Sequence, residues 1–380
     1  MTPILPGSMI GILGGGQLGR MLILAGRCLG YRFVVYDPGS SSAAGPVADK
    51  TIQADYLDFT ALRAFADAVD VITLEFEGIP LEAVTFLQQH AVVRPSADVL
   101  SICQNRKQEK TFLQANGIPC VPFAVIQSEQ ELAAAVKELG TPSVLKTACW
   151  GYDGKGQIKL ADADADGARA WRQLDVREAI LEQWVQYKME CSAIVARRPN
   201  GATEVFPVAE NHHEHHILDT SLVPARLPEK VVKEAHAIAT ELAHKLAVVG
   251  LLAVEFFVTA DDELLVNEMA PRPHNSGHYS IDACTVSQFE QCIRAICDMP
   301  LQPAQLLKPV AMVNLLGDFW QGKAQPDWPT LLEIPAVKLH LYDKGEARKG
   351  RKMAHVNVLG DSVEGVLRAV QRIKHLEDSG

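Results

Sequence analysis

The chain has 380 residues, 48% of them hydrophobic, and a formal net charge of −10. That length and apolar content supply a large buried core, divided among two or three domains of a soluble globular protein. The acidic balance leaves no basic stripe to neutralise a phosphate backbone, which argues against a nucleic-acid partner and for a small-molecule substrate.

The first elements read as an α/β unit: an apolar strand Met9 to Leu13, a glycine turn, a helix Leu18 to Leu29 closed by Gly30, and a strand Phe33 to Tyr36. A buried strand Asp70 to Leu74 leads into Glu75-Phe76-Glu77, and Ile79-Pro80 stops it before a helical stretch. The pattern predicts a parallel-sheet domain over residues 1–108. A basic helix from Asn105 through Gln114 ends at Asn116-Gly117-Ile118-Pro119 and opens a smaller second unit, 109–190, with a helix Glu129 to Glu138 and a strand-loop-strand portion. The third unit, 191–380, carries strands, a long helix Glu229 to Val249 with Gly250 after it, and a β-rich end with strands at Ala311 to Leu315, Val337 to Tyr342 and His355 to Val358. Ala161 to Ala168 reads as an exposed connector. The eight cysteines show no CxxC spacing, so neither a disulfide framework nor a zinc site is expected, and a reducing cytosol is the expected compartment. The start lacks a basic segment and no apolar run reaches the ~18 residues of a membrane span, so neither secretion nor membrane insertion is expected. Met9 is an alternative start, which makes residues 1–8 an extension.

Gly14-Gly15-Gly16-Gln17-Leu18-Gly19 satisfies G-x-G-x-x-G between a strand and a helix, with Asp37 at the end of the next strand where a ribose-binding acid is expected. The physics of such a loop is that bare N–H groups at a helix N-terminus favour an anion, so NAD, another phosphorylated ligand and a purely structural tight turn all fit it. A second glycine segment follows Val144-Leu145-Lys146-Thr147: Gly151-Tyr152-Asp153-Gly154-Lys155-Gly156-Gln157. Lys146 lies on an alternating strand that can place its ammonium in an interior cleft, where it needs an anionic partner. The cationic glycine loop suits closure over a triphosphate or, equally, a surface hairpin. Ile180 to Val185 combines a strand with a polar break, offering backbone groups to an adenine edge and Glu182 to ribose hydroxyls.

Glu255 and Glu268 stand on two strand-like runs around Ala260-Asp261-Asp262. A hairpin turning on Asp261-Asp262 pairs residues that sum to 523, so the two carboxylates face each other. Like charges there repel unless a cation sits between them, and Mg²⁺, which takes one or two carboxylates with water and phosphates, fits; a solvated edge pair or a bulge breaking the register is the alternative.

In combination Lys146, the GYDGKGQ loop, EQWV at 182–185, Glu190, and Glu255 and Glu268 within NEMAPRPHNSGH resemble the ATP-grasp superfamily in order and spacing. From GILGGGQLGRM to YDKGEARKGRKMAH the chain is similar to its N5-carboxyaminoimidazole ribonucleotide synthetase family. The resemblance implies an ATP-grasp fold, a cytoplasmic homodimer, MgATP between the second and third domains, and no dinucleotide. It implies carboxylation of 5-aminoimidazole ribonucleotide by bicarbonate through carboxyphosphate, with release of ADP and phosphate. Carried onto this chain, it assigns Arg106, Lys146, Gly151, Gly154, Gly156, Gln157, Glu182, Gln183, Trp184, Val185, Glu190, His213 and Asn267 to ATP, and Glu255 and Glu268 to Mg²⁺. Tyr152, Asp153, Lys155, Arg272, His274 and Asn275 fall near the reacting groups, and Gln17, Leu18, Glu75, Lys344, Arg351 and Lys352 on the ribonucleotide. A turn structured by Pro271 and Pro273 is the bland reading of the Arg272 segment. The run His212-His213-Glu214-His215-His216 has the composition of a metal cluster, but alternate strand side chains diverge, so a polar wall with His213 near the nucleotide is expected. Two alternatives are formate-dependent glycinamide ribonucleotide transformylase, disfavoured by Gly151-Tyr152-Asp153 and Asn275, and a nucleotide-binding regulator without turnover.

Overall fold

The computed structural model describes residues 2–149, 156–162, 167–320, 322 and 325–378. Strands β1 (Met9–Leu13), β2 (Arg32–Tyr36), β3 (Lys50–Ile52) and β4 (Val71–Leu74) form a parallel sheet in the order β3-β2-β1-β4. β1 is central and buried on both faces, which explains its continuous apolar run. The helix Gln17–Cys28 packs one face on this sheet and the other on the helix Gln288–Ile296, so the first core continues into the large sheet described below.

A small antiparallel sheet follows, built from β5 (Phe123–Ile126), β6 (Ser143–Thr147), β7 (Gln157–Leu160) and β8 (Ala179–Gln183) in the order β5-β8-β6-β7. Helices Glu129–Leu139 and Gly167–Leu174 cover one face through Leu132, Ala135 and Ala170. The second of these begins inside the segment expected to be a connector; residues 163–166 of that segment lie outside the described residues.

The remaining strands make one antiparallel sheet: β9 (Tyr187–Arg197), β10 (Thr203–Val205), β11 (Ala209–Glu214), β12 (Ile217–Val223), β13 (Gly250–Thr259), β14 (Leu264–Ala270), β15 (Val310–Leu316), β16 (Val337–Leu341) and β17 (Lys352–Leu359). Their order is β14-β13-β9-β11-β12-β15-β17-β16, with β10 beside β9. The helix Glu229–Lys245 packs on β9 and β13. It stops earlier than the expected Val249: Ala247 adopts φ 52° and ends it, while Gly250 already belongs to β13. The C-terminal end is less purely β than its strand pattern suggests, because the helix Val363–Asp378 packs on β15 and β17.

The turn between β13 and β14 corrects the expected geometry. Thr259 pairs with Glu263 around a three-residue loop in which Asp262 has φ 65°, so near the turn partners sum to 522 rather than 523. A β-bulge at Glu255/Phe256 then shifts the register by one, with Phe256 opposite Val266 and Glu255 opposite Glu268. The acids therefore do face each other, through two compensating offsets rather than a uniform hairpin.

Candidate active site

One cavity of about 1300 Å³ runs between the three sheets. It is lined by Arg106, Lys146, Gln157, Glu182, Gln183, Trp184, Val185, Glu190, His213 and Asn267, by Glu255 and Glu268, by Arg272, His274 and Asn275, and by Gln17, Leu18, Glu75, Lys344 and Lys352. Arg351 lines a smaller adjoining pocket with Lys344 and Glu75. Gly156 does not line the cavity; it has φ 70°, and a Cβ there meets Thr147 Oγ1 at 2.8 Å, so its glycine serves the turn before β7. Gly151, Tyr152, Asp153, Gly154 and Lys155 lie outside the described residues.

At one end, Lys146 on β6 reaches Glu182 on β8 with Nζ 2.5 Å from Oε2, which supplies the anion a buried lysine requires. Lys110 approaches the other oxygen at 3.3 Å. Burial opposes ionisation of Glu182, but the two ammonium groups outweigh it and hold the carboxyl down at about 2. Trp184 stands beside this pair with Lys159 Nζ 3.6 Å from its ring centroid, a cation–π contact. Arg106 begins the helix Arg106–Ala115, directly after its cap Asn105, and places Nη1 3.4 Å from Thr147 O.

In the middle, burial and the facing Glu268 push the Glu255 carboxyl up to about 7. Two facing acids, with the cost of ionising Glu255 high, are chemically suited to a hard divalent cation that also takes phosphate oxygens. Among the described residues no group of three or more His, Cys, Asp or Glu is arranged to hold a metal. His274 is neutral, held at about 3 by burial and then by Arg272 and Lys352. Its Nδ1 accepts from Ser276 N–H at 3.3 Å and lies 2.8 Å from Ser276 Oγ, which leaves Nε2–H to face Glu255 Oε1 at 3.3 Å. Asn275 has both side-chain polar atoms buried and unpartnered among the described residues while lining the cavity, as a group awaiting a ligand does.

Arg272 is held by Glu77 through two parallel bonds, Nε to Oε2 and Nη2 to Oε1, the latter 2.9 Å. Burial opposes ionisation of Glu77, and Arg272 overrides it, holding the acid at about 2. Sequence reasoning placed Glu77 only at the end of a strand and missed this role; its position two residues after Glu75 was the one available signal. Lys110 was missed likewise, being one more cation on a basic helix.

The glycine loop is used differently from its pattern. Glu75 accepts from Gly16 N–H at 2.8 Å and Gly19 N–H at 3.3 Å, and Asp37 accepts from Gly15 N–H at 2.6 Å. The acceptor at this helix N-terminus is therefore the protein's own Glu75, whose carboxyl burial pushes up against the lowering effect of these two bonds, and the Gly15, Gly16 and Gly19 N–H groups are occupied. A Cβ on Gly16 falls 2.4 Å from Glu75 Oε1, so the glycine admits Glu75. Asp37, the candidate ribose acid of a dinucleotide site, is committed to this loop. The histidine run forms the expected polar wall: His213, His215 and His216 all line the cavity, His213 with Nδ1 2.7 Å from Glu190 Oε2, and His215 and His216 in a tight turn with φ 49° and 66°.

Comparison with known proteins explains this constellation. Residues 8–104 match the ribonucleotide synthetase preATP-grasp domain, 111–289 the ATP-grasp domain and 310–369 the phosphoribosylaminoimidazole carboxylase C-terminal domain. The N5-carboxyaminoimidazole ribonucleotide synthase of Bacillus subtilis (strain 168) is 47% identical over 356 residues, covering 94% of this chain and 92% of its own. The chain belongs to the N5-carboxyaminoimidazole ribonucleotide synthase family. Among solved members, an ADP complex of N5-carboxyaminoimidazole ribonucleotide synthetase superposes with TM-score 0.94 and 46% identity, over 100% of this chain and 99% of that one. The Aspergillus clavatus family member, solved with ADP and 5-aminoimidazole ribonucleotide, gives TM-score 0.90 and 30% identity over 98% and 99% of the two chains. Family membership accounts for the fold: an ATP-grasp unit preceded by a parallel-sheet domain and followed by a small mixed C-terminal region. Among the described residues no helix is long and apolar enough to cross a membrane.

Proposed function

We propose that this chain is an ATP-dependent carbon–nitrogen ligase of purine biosynthesis that carboxylates 5-aminoimidazole ribonucleotide with bicarbonate, releasing ADP and phosphate. The observation that carries the reading is a single cavity with the Lys146–Glu182 pair at one end, Glu75 and Lys344 at the other, and the facing acids, with Lys352 near them, in between. Each end suits one of two phosphorylated substrates, and the reacting groups meet in the middle.

ATP lies with its base along Gln183, Trp184 and Val185, its ribose on Glu182, and its phosphates under Lys146 and Arg106; Tyr152, Asp153 and Lys155, outside the described residues, are assigned to the reacting groups by the family resemblance alone. Glu190 and His213 border the nucleotide. Glu255 and Glu268, assisted by Asn267, would hold Mg²⁺, which when bound would supply charge neutralisation for the terminal phosphates. Arg272 and Asn275 orient bicarbonate and then carboxyphosphate, Arg272 having been pre-set by Glu77. Neutral His274 donates from Nε2 at the same place. Glu75 takes the ribose of the aminoimidazole ribonucleotide, and Lys344, Arg351 and Lys352 take its 5′-phosphate. Bicarbonate oxygen attacks the γ-phosphorus, the bond to ADP breaks, and the carboxyl carbon of carboxyphosphate, or carbon dioxide from it, is delivered to the exocyclic amine with loss of phosphate. Such transfer is chiefly positioning and charge neutralisation, which matches a lining that sets six lysines and arginines among seven glutamates. We read the domains as 1–108, 109–190 and 191–380, and the working form as a cytoplasmic homodimer, which sedimentation of the purified protein tests.

The deciding assay is ADP formation with MgATP and 5-aminoimidazole ribonucleotide, alongside incorporation of labelled bicarbonate. Ribonucleotide-dependent ADP release with label incorporated is expected. Turnover only on glycinamide ribonucleotide with formate overturns the assignment in favour of the transformylase.

A further inference from the structure

Glu268 owes its place to an irregularity. β14 is an edge strand, and in a regular strand Val266 and Glu268, two residues apart, share a face. Val266 is in the core against the helix Glu229–Lys245, so a regular β14 puts Glu268 there too. The bulge reverses this: Val266 pairs with core residue Phe256, and Glu268 pairs with Glu255 on the cavity face. Val266 makes one isolated parallel bridge to Cys120, its N–H donating to Pro119 O at 2.9 Å, but an inserted residue in an edge strand disturbs the ladder further, so something beyond that bridge must hold the carbonyls beside the bulge.

That something is the helix Arg106–Ala115. Lys110, only 1% exposed, donates to Asn267 O at 2.8 Å and Val266 O at 3.3 Å and pairs with Glu182 Oε1 at 3.3 Å. Three acceptors match the three N–H bonds of the ammonium. The preceding residue, Glu109, accepts from Met269 N–H at 2.5 Å. The two side chains thus grip the backbone on both sides of Glu268.

We infer that Lys110, with Glu109, is a positioning residue that holds the β14 bulge in register, setting Glu268 opposite Glu255 and tying the metal acids to the nucleotide acid Glu182. The inference rests on the reading of Glu255 and Glu268 as the Mg²⁺ pair. Lys110 touches no reacting atom; it fixes the angle at which one carboxylate enters the cavity, and through Glu182 it links that angle to the small sheet.

The test is calorimetric titration of the full-length protein with ADP, with and without MgCl₂, which requires no turnover. The readout is the factor by which Mg²⁺ strengthens ADP binding. In K110M, which keeps the volume and removes the donors, that factor is expected to fall roughly tenfold, the scale of losing charge-assisted bonds. E109Q, whose carbonyl still accepts the Met269 N–H, should keep most of the factor, and E109L should not. A K110M protein with lowered melting temperature but the wild-type factor overturns the inference, leaving Lys110 merely structural. Should K110M fail to fold, K110Q, whose amide keeps two N–H donors but no charge, is judged by the same factor. A wild-type protein whose ADP binding ignores Mg²⁺ instead defeats the metal reading itself, a separate result.

Discussion

Replacing Glu182 by Gln tests whether the buried charge triad works as its geometry requires. Glu182 lies within 2.5 Å of Lys146 and 3.3 Å of Lys110, and its carboxyl is held at about 2 against an ordinary 4.5. The span from 4.5 to about 2, at about 1.4 kcal/mol per pH unit, corresponds to about 3 kcal/mol of stability at pH 7. The same size is expected for breaking a buried ion pair by removing one partner, about 3–5 kcal/mol. The sign follows from linkage. The folded-state value is depressed, so the contribution is fully present above 4.5 and is lost as pH falls through that value towards 2. At pH 3.5 about 2 kcal/mol should remain. Urea unfolding of wild type and E182Q between pH 7 and pH 3.5, followed by intrinsic tryptophan fluorescence, is the assay. A stability gap that narrows on acidification by about 1 kcal/mol supports the triad. A gap independent of pH, or no gap at pH 7, refutes it.

Three further outcomes are expected. E268Q should abolish most metal-dependent turnover while circular dichroism and melting stay near wild type, because the residue borders the cavity and is exposed; near-normal rates contradict the site. K352A should raise KM for the ribonucleotide far more than KM for ATP, measured by ADP release, since Lys352 lines the cavity together with Lys344 and Glu75; equal effects on both substrates count against a phosphate role. E77Q leaves Arg272 without its charged fork partner and should lower kcat about tenfold or more with KM for ATP little changed, and a change confined to KM for ATP refutes Glu77 as the orienter of that guanidinium.

Much of this architecture was legible along the chain because it depends on short-range signals. Apolar runs at Met9 to Leu13 and Val71 to Leu74 marked strands buried on both faces, and Asn105 before a basic helical stretch marked a helix start that the structure capped through Gln108 N–H. The need of Lys146 for an anion followed from its apolar strand, and Glu182 met it. The segments that misled did so where a local pattern has several physical uses. G-x-G-x-x-G specifies close backbone approach but not by what, and the approaching group is Glu75, 59 residues further on from Gly16. The end of the helix Glu229–Lys245 was expected at a glycine, whereas tertiary packing let Ala247 take the left-handed conformation.

By itself the sequence determined which residues could do the chemistry: the acids, the lysines of alternating strands, and the Arg272 to Asn275 segment, since residue type and spacing decide charge and side-chain direction. Only the tertiary structure decided how they meet. Glu255 faces Glu268 because a three-residue turn and a bulge cancel, and the bulge persists because Lys110 and Glu109, from a helix some 160 residues earlier, occupy its backbone groups. Arg272 is aimed by Glu77 across 195 residues. Such long-range pairings have no local signature; they arise when folding buries polar groups that must then find partners wherever the chain has brought them.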